Sequence, residues 1–186
     1  MKKESTNNLY DWIGIIIVPL IAIVIIFTFF FRVVGVDGIS MMNTLHDGDR
    51  VIISIITDPK PGDIVVISRN YDNDESAREQ SGNTPIIKRV IAVGGQTVDI
   101  DDDGNVIVDG VKLDEPYIAE QQQRRTGDVE FPITIKPGYI FVMGDNRNVS
   151  KDSRFSSIGE MGQVNEKYVL GKAVVRFFPF SDMCVL

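Results

Sequence analysis

A mainly β domain of antiparallel strands, carried on one N-terminal transmembrane helix, is the fold class this sequence predicts. Three observations point to it. Ile13 to Phe31 is a run of 19 residues without a charge. The body that follows alternates short Val- and Ile-rich segments with clusters of Gly, Pro, Asn and Asp. No helical period and no internal repeat interrupts that alternation.

At about 1.5 Å per residue the apolar run makes roughly 28 Å of helix, close to the hydrocarbon thickness of a bilayer. Pro19 sits about two turns in, and Tyr10 and Trp12 stand where interfacial aromatics belong. A cleavable secretory peptide is the competing reading. The run is longer than the usual apolar stretch of about 7 to 15 residues, and Phe30-Phe31-Arg32-Val33-Val34 offers no small-x-small cleavage site. The chain therefore divides into a short tail over 1–12, a transmembrane signal anchor over 13–31 and a β-rich extracytoplasmic domain over 32–186. Lys2 and Lys3 favour a cytoplasmic tail, a signal diluted by Glu4, Asp11 and Arg32.

About 150 of the 186 residues remain for the body, enough for one domain with a real core. The net charge of -7 excludes the large basic surface a nucleic acid needs. One cysteine, Cys184, permits no intrachain disulfide, and with His46 the only histidine no His/Cys metal cluster can be assembled. No metal and no cofactor is expected.

Arg50 to Ile56 and Asp63 to Ser68 read as strands around an Asp58-Pro59-Lys60-Pro61-Gly62 turn. Asn70 to Thr84 and Glu120 to Asp128 read as polar loops. Pro85 to Val93 is the next strand, ended by Gly94-Gly95, and Thr97 to Ile100 with Val106 to Val108 form a hairpin about an acidic turn. The spacing of that turn does not fit an EF-hand loop, so it reads as solvated rather than calcium-binding. Val129 to Ile135, Tyr139 to Met143 and Tyr168 to Phe178 complete the strands.

The chemistry centres on Ser40, in Val36-Asp37-Gly38-Ile39-Ser40-Met41-Met42-Asn43-Thr44-Leu45. A serine hydroxyl becomes a useful nucleophile only when a neighbouring base takes its proton. Lys88 lies in an apolar strand with Ile86, Val90 and Ala92 on its own face. Burial there would lower its pKa from about 10.4 toward 7 or 8 and make it a base; on an edge strand it would snorkel into water and stay charged. Arg89 stays protonated and suits an ion pair. Gly144 to Arg154 is dense in donors and acceptors and reads as a loop that orients other groups. Ser40 follows Phe31 by nine positions, so even an extended linker keeps it within about 30 Å of the membrane.

Gly38-x-Ser40-Met41-x-x-Thr44-Leu45, Pro61-Gly62-Asp63-Ile64-Val65, Lys88-Arg89-Val90 and Gly144-Asp145-Asn146-Arg147 through Ser150-x-Asp152-Ser153-Arg154 together resemble the type I signal peptidases, in their compact Gram-positive version. The resemblance implies a signal-peptidase-like antiparallel β-sheet domain, single-pass in the bacterial cell membrane with its catalytic domain on the extracytoplasmic face. Its substrates would be exported preproteins with small residues before the cut, held beside the lipid bilayer. It implies a Ser/Lys dyad: Ser40 attacks, Lys88 takes the proton, and the Ser40 amide helps hold the oxyanion. Some relatives carry a serine where this chain has Gly38, so that donor is absent or replaced. Ser150 matches a serine that hydrogen-bonds the lysine, Asp152 with Arg154 a structural ion pair, and Asp145 the partner of Arg89. Ile39 and Met41 are candidate walls for the substrate. The family usually has proline where this chain has Asn43, so the turn after the nucleophile loses a fixed φ.

Three rival readings differ in their residues. A Ser-His-Asp hydrolase would need His46, which sits in a polar turn six residues after Ser40. A self-cleaving Ser/Lys repressor would not carry the anchor. A membrane protein that assists pilus or surface-protein assembly without chemistry would be expected to have lost Ser40 or Lys88, and both are present.

Overall fold

The computed structural model describes residues 4–56, 58–71, 84–118 and 126–186. The two polar loops expected at 70–84 and 120–128 fall largely outside them. The chain forms two compact units, Met1–Arg32 and Val33–Leu186.

The first unit is helix α1, Glu4–Phe30, with Pro19 inside it. Its stretch Ile13–Phe30 has a mean hydropathy of 3.1 and is long and apolar enough to cross a bilayer. The apolar segment expected to run through Phe31 gives up that residue to β1, Phe31–Gly35.

The second unit is built on a large sheet. Its strands are β2 (Arg50–Ser54), β3 (Ile64–Ile67), β4 (Ile86–Val93), β9 (Tyr139–Met143), β10 (Val164–Asn165), β11 (Val169–Phe178) and β12 (Cys184–Val185). They run β1-β2-β11-β3-β4-β9-β10, with β12 also paired to β11. A smaller sheet takes β5 (Thr97–Ile100), β6 (Val106–Val108), β7 (Val111–Lys112) and β8 (Ile133–Thr134) in the order β7-β6-β5-β8. The pairings of β2 to β12 for which a register is defined are antiparallel.

The strand expected over Val129 to Ile135 shrinks to the two residues of β8. The short strands β7, β10 and β12 lack the length for a periodic signal, and tertiary pairing alone makes them strands.

All four side chains of β3 are buried, because the sheet is covered on both faces. Ile64 and Val66 pack with Met41, Leu45, Val51, Ile53 and Ile87. Val65 and Ile67 pack on the opposite face with Val90, Ile140, Val142 and Ile158. This double cover is why the period-2 pattern of β3 and β4 is blurred. β4 lies between β3 and β9 in the sheet order, and Lys88 is paired on the β3 side, through Val65, whereas β9 joins β4 only from Arg89 onward. Its side chain is nonetheless buried.

Candidate active site

Ser40 lies in a tight turn. The amides of Thr44 and Leu45 donate to Met41 O, and that of Met42 donates to Ile39 O. Gly38 enters the turn at φ 89, a conformation open to glycine and costly for other residues. Leu45 and Met41 anchor the turn in the core. Ser40 itself is half-buried.

Lys88 reaches it from β4. Its Nζ lies 2.9 Å from Ser40 Oγ and donates a second hydrogen bond of 2.9 Å to Ile87 O. The residue is 4% exposed. Burial is the chief cause that lowers its pKa to about 8, and Arg69 and Arg154 lower it further while Asp152 and Asp145 oppose them. About a tenth of the amine is therefore neutral at pH 7 and about half at pH 8, and in that form it can accept the hydroxyl proton rather than donate to the oxygen.

The loop after β9 holds the nucleophile from behind. Asn146 N donates to Ser40 O at 3.0 Å and Asn146 Nδ2 donates to Ile39 O at 3.2 Å. Arg89 makes a two-pronged pair with buried Asp145, through Nε at 2.8 Å and Nη2 at 2.6 Å. Thr44 Oγ1 donates to the same carboxylate, so the turn, β4 and the loop share one anchor. Arg154 pairs with Asp152 through Nε at 2.8 Å and Nη2 at 2.9 Å. Asp152 also accepts from Gly144 N at 3.0 Å. These pairs are buried and hydrogen-bonded on several sides, the condition under which a buried ion pair fixes a geometry.

Not every candidate takes the place expected of it. Ser150 is buried near Ser40, but its Oγ has no hydrogen-bond partner among the described residues and does not reach Lys88. The hydrogen bonds of Lys88 go to Ser40 and Ile87 instead. Met41, expected as a substrate wall, is 1% exposed and belongs to the core; Ile39, 50% exposed, does border the cleft. The Gly38 amide is taken by Asp47 Oδ1 at 2.8 Å, whereas the Ser40 amide makes no hydrogen bond among the described residues and remains open to an oxyanion. His46 is exposed, and among the described residues no hydrogen bond joins its side chain to Ser40, which counts against the histidine-based rival.

Sequence reasoning missed four contributors. Arg147 pairs with Glu115 and also donates to Gly144 O at 3.2 Å. Tyr117 stacks on the Arg89 guanidinium, 3.9 Å from its ring centroid. Asp47 caps the Gly38 amide. Arg147 had a visible signal, its place in the Gly144–Arg154 segment; Asp47 follows in the next turn of the chain, and Glu115 and Tyr117 join the site from a distant segment.

Asn43 has φ 78, a left-handed conformation that asparagine tolerates and proline cannot adopt. Its Nδ2 donates to Ile118 O at 3.2 Å. The loss of proline is thus matched by a different turn rather than by a looser one. We expect Asn43→Pro to destabilise the domain by about 3 kcal/mol or more, and Asn43→Gly by less than about 1 kcal/mol, measured by denaturant unfolding of the detergent-solubilised protein.

Residues 9–178 match the model of the family described as signal peptidase, peptidase S26. The chain belongs to that family. The peptidase is 35% identical over 196 residues to a signal peptidase I of Bacillus licheniformis, covering 98% of this chain and 97% of that protein. It is 34% identical over 200 residues to a signal peptidase IB of Staphylococcus aureus strain Mu50, covering 98% and 94% of the two chains. A crystal structure of a signal peptidase I from Enterococcus faecalis V583 is 29% identical, with a TM-score of 0.47, covering 63% of this chain and 97% of that one.

Proposed function

We propose that the chain is a membrane-anchored serine endopeptidase that removes signal peptides from exported preproteins, with Ser40 as nucleophile and Lys88 as general base. The observation that carries this reading is the 2.9 Å approach of a buried, pKa-lowered amine to a serine hydroxyl. A module that only binds has no use for an amine held at that cost.

In the first step Ser40 Oγ attacks the scissile carbonyl carbon while its proton passes to Lys88 Nζ. The negative oxygen is held by the open Ser40 amide. The lysine ammonium then gives the proton to the leaving amine as the C–N bond breaks and an acyl-enzyme remains. Water, deprotonated by the same lysine, hydrolyses the ester and restores Ser40. Asp145 with Arg89 and Asp152 with Arg154 act as positioning pairs; they fix the turn and the loop on either side of the dyad.

The substrate is proposed to lie extended. β4 pairs with β9 only from Arg89 onward, whereas β3 pairs with it from Ile86. The segment Ile86–Lys88 thus has no ladder partner on the β9 side, where an extended peptide can add as a strand. Ile39, Ile86 and Val149 give this cleft of about 340 Å³ apolar walls, suited to small side chains before the cut. The apolar stretch Ile13–Phe30 spans the bilayer, with the tail 1–12 cytoplasmic and the peptidase domain extracytoplasmic.

The test is cleavage of a preprotein with an Ala-x-Ala site by the detergent-solubilised enzyme, read by mass spectrometry. One new N-terminus directly after the second alanine is expected. Cutting elsewhere would overturn the proposed specificity, and no cutting by folded protein would overturn the activity. The pKa also predicts a direction: kcat/KM rises with pH as Lys88 deprotonates and levels above about 8.

A further inference from the structure

The cleft beside Ser40 and Lys88 contains a cation that the mechanism does not use. Arg69 lines it together with Asp37, Thr84 and Lys151. It begins the single 3-10 turn Arg69–Tyr71 after β3. Val65 faces Lys88 and Ile67 faces Ile86, so the register carries position 69 toward Thr84. Along the strand that is four residues, roughly 13 Å, from Lys88. The arginine side chain spans about half of that distance.

Arg69 is half-buried, and it is unlike the other buried or half-buried arginines described in this domain. Arg89, Arg147, Arg154 and Arg176 each have a carboxylate partner. Arg69 has none within ion-pair distance among the described residues, and its Nε is buried there without a hydrogen-bond partner. Leaving such a donor unsatisfied is costly, and a guanidinium is shaped to take a carboxylate on two parallel N–H bonds. Within a chain of net charge -7 the cleft is also locally positive, with Arg69 and Lys151 against Asp37 when Lys88 is neutral.

We infer that Arg69 forms a subsite for an acidic side chain of the peptide substrate, two to four residues from the scissile bond. The inference rests on the endopeptidase reading and narrows its substrate class. An extended peptide advances about 3.3 Å per residue, so the full offset of about 13 Å corresponds to four residues and the half left after the reach of the guanidinium to two. An aspartate there satisfies Arg69; a lysine there meets two cations of the cleft.

The experiment uses the full chain in detergent and preproteins that share one Ala-x-Ala site. Each carries Asp, Asn or Lys at one position, two to four residues from the cut on either side. Wild type, Arg69→Gln and Arg69→Glu are compared by the ratio of kcat/KM for Asp over Lys, which cancels any difference in folded fraction. At one position wild type is expected to favour Asp by about tenfold, with the preference gone in Arg69→Gln and reversed in Arg69→Glu. No preference in wild type, or one that persists in both variants, overturns the subsite. If wild type fails to cut even the Asn substrates, the endopeptidase reading itself fails; if all three proteins cut them with the same ratio, only the Arg69 subsite does.

Discussion

Lys88→Met is expected to lower kcat/KM for preprotein cleavage by about 10⁴-fold, and Ser40→Ala to do the same. The two losses should not add in the double variant. Both groups act in one step: without the amine the hydroxyl has no acceptor for its proton, and without the hydroxyl the amine has nothing to activate. Exposed His46 offers no replacement base, so His46→Ala should keep most of the activity.

The same substitution makes a second, thermodynamic measurement possible. Lys88 titrates near 8 when folded and near 10.5 when unfolded. Between those values the unfolded chain binds more protons, so the native state gains stability as pH rises and carries the full cost below about 8. Wild type should therefore gain up to about 3 kcal/mol relative to Lys88→Met between pH 8 and 10.5. Denaturant melts of both proteins across that range check the sign. An unchanged difference would mean that Lys88 is solvated.

Gly144→Ala should damage the site from outside the dyad, lowering kcat by about 10²-fold and stability by about 1 to 3 kcal/mol. A Cβ at that position would stand 2.3 Å from Ser150 Oγ and 2.5 Å from Ser40 O. The serine side chain can rotate away, but the carbonyl belongs to the backbone of the nucleophile turn. Relief requires the turn and the loop to separate, and Asn146 with Asp145 ties them together. Gly35→Ala is the control, since no atom lies within 4 Å of its added methyl. Steady-state kinetics with thermal melts of the two variants measure both effects.

Much of this architecture was legible in the chain. The long strands carry enough Val and Ile to announce themselves, and the apolar run before Arg32 is unmistakable by length. Ser40, Lys88 and the Gly144–Arg154 loop were legible because each has its own local pattern. Pattern alone could not bury Lys88. Its strand is apolar on both faces, and only the tertiary packing around its side chain, with β3 paired beside it, buries it although β9 joins β4 one residue later. Met41 was misplaced for a related reason: neighbours in a tight turn point in opposite directions, and Met41 follows Leu45 into the core while Ile39 faces the cleft. Glu115, Tyr117 and Arg69 were out of reach because their roles arise from distant segments brought together by tertiary packing.

The claim at the centre is that a neutral Lys88 activates Ser40. The pH dependence of kcat/KM for one preprotein, measured from pH 5 to 10 on wild type and His46→Ala, tests it most directly. Both proteins are expected to show the same profile, rising through a single ionisation near 8. A profile that rises near 6.5 and collapses in His46→Ala would contradict it and make histidine the base.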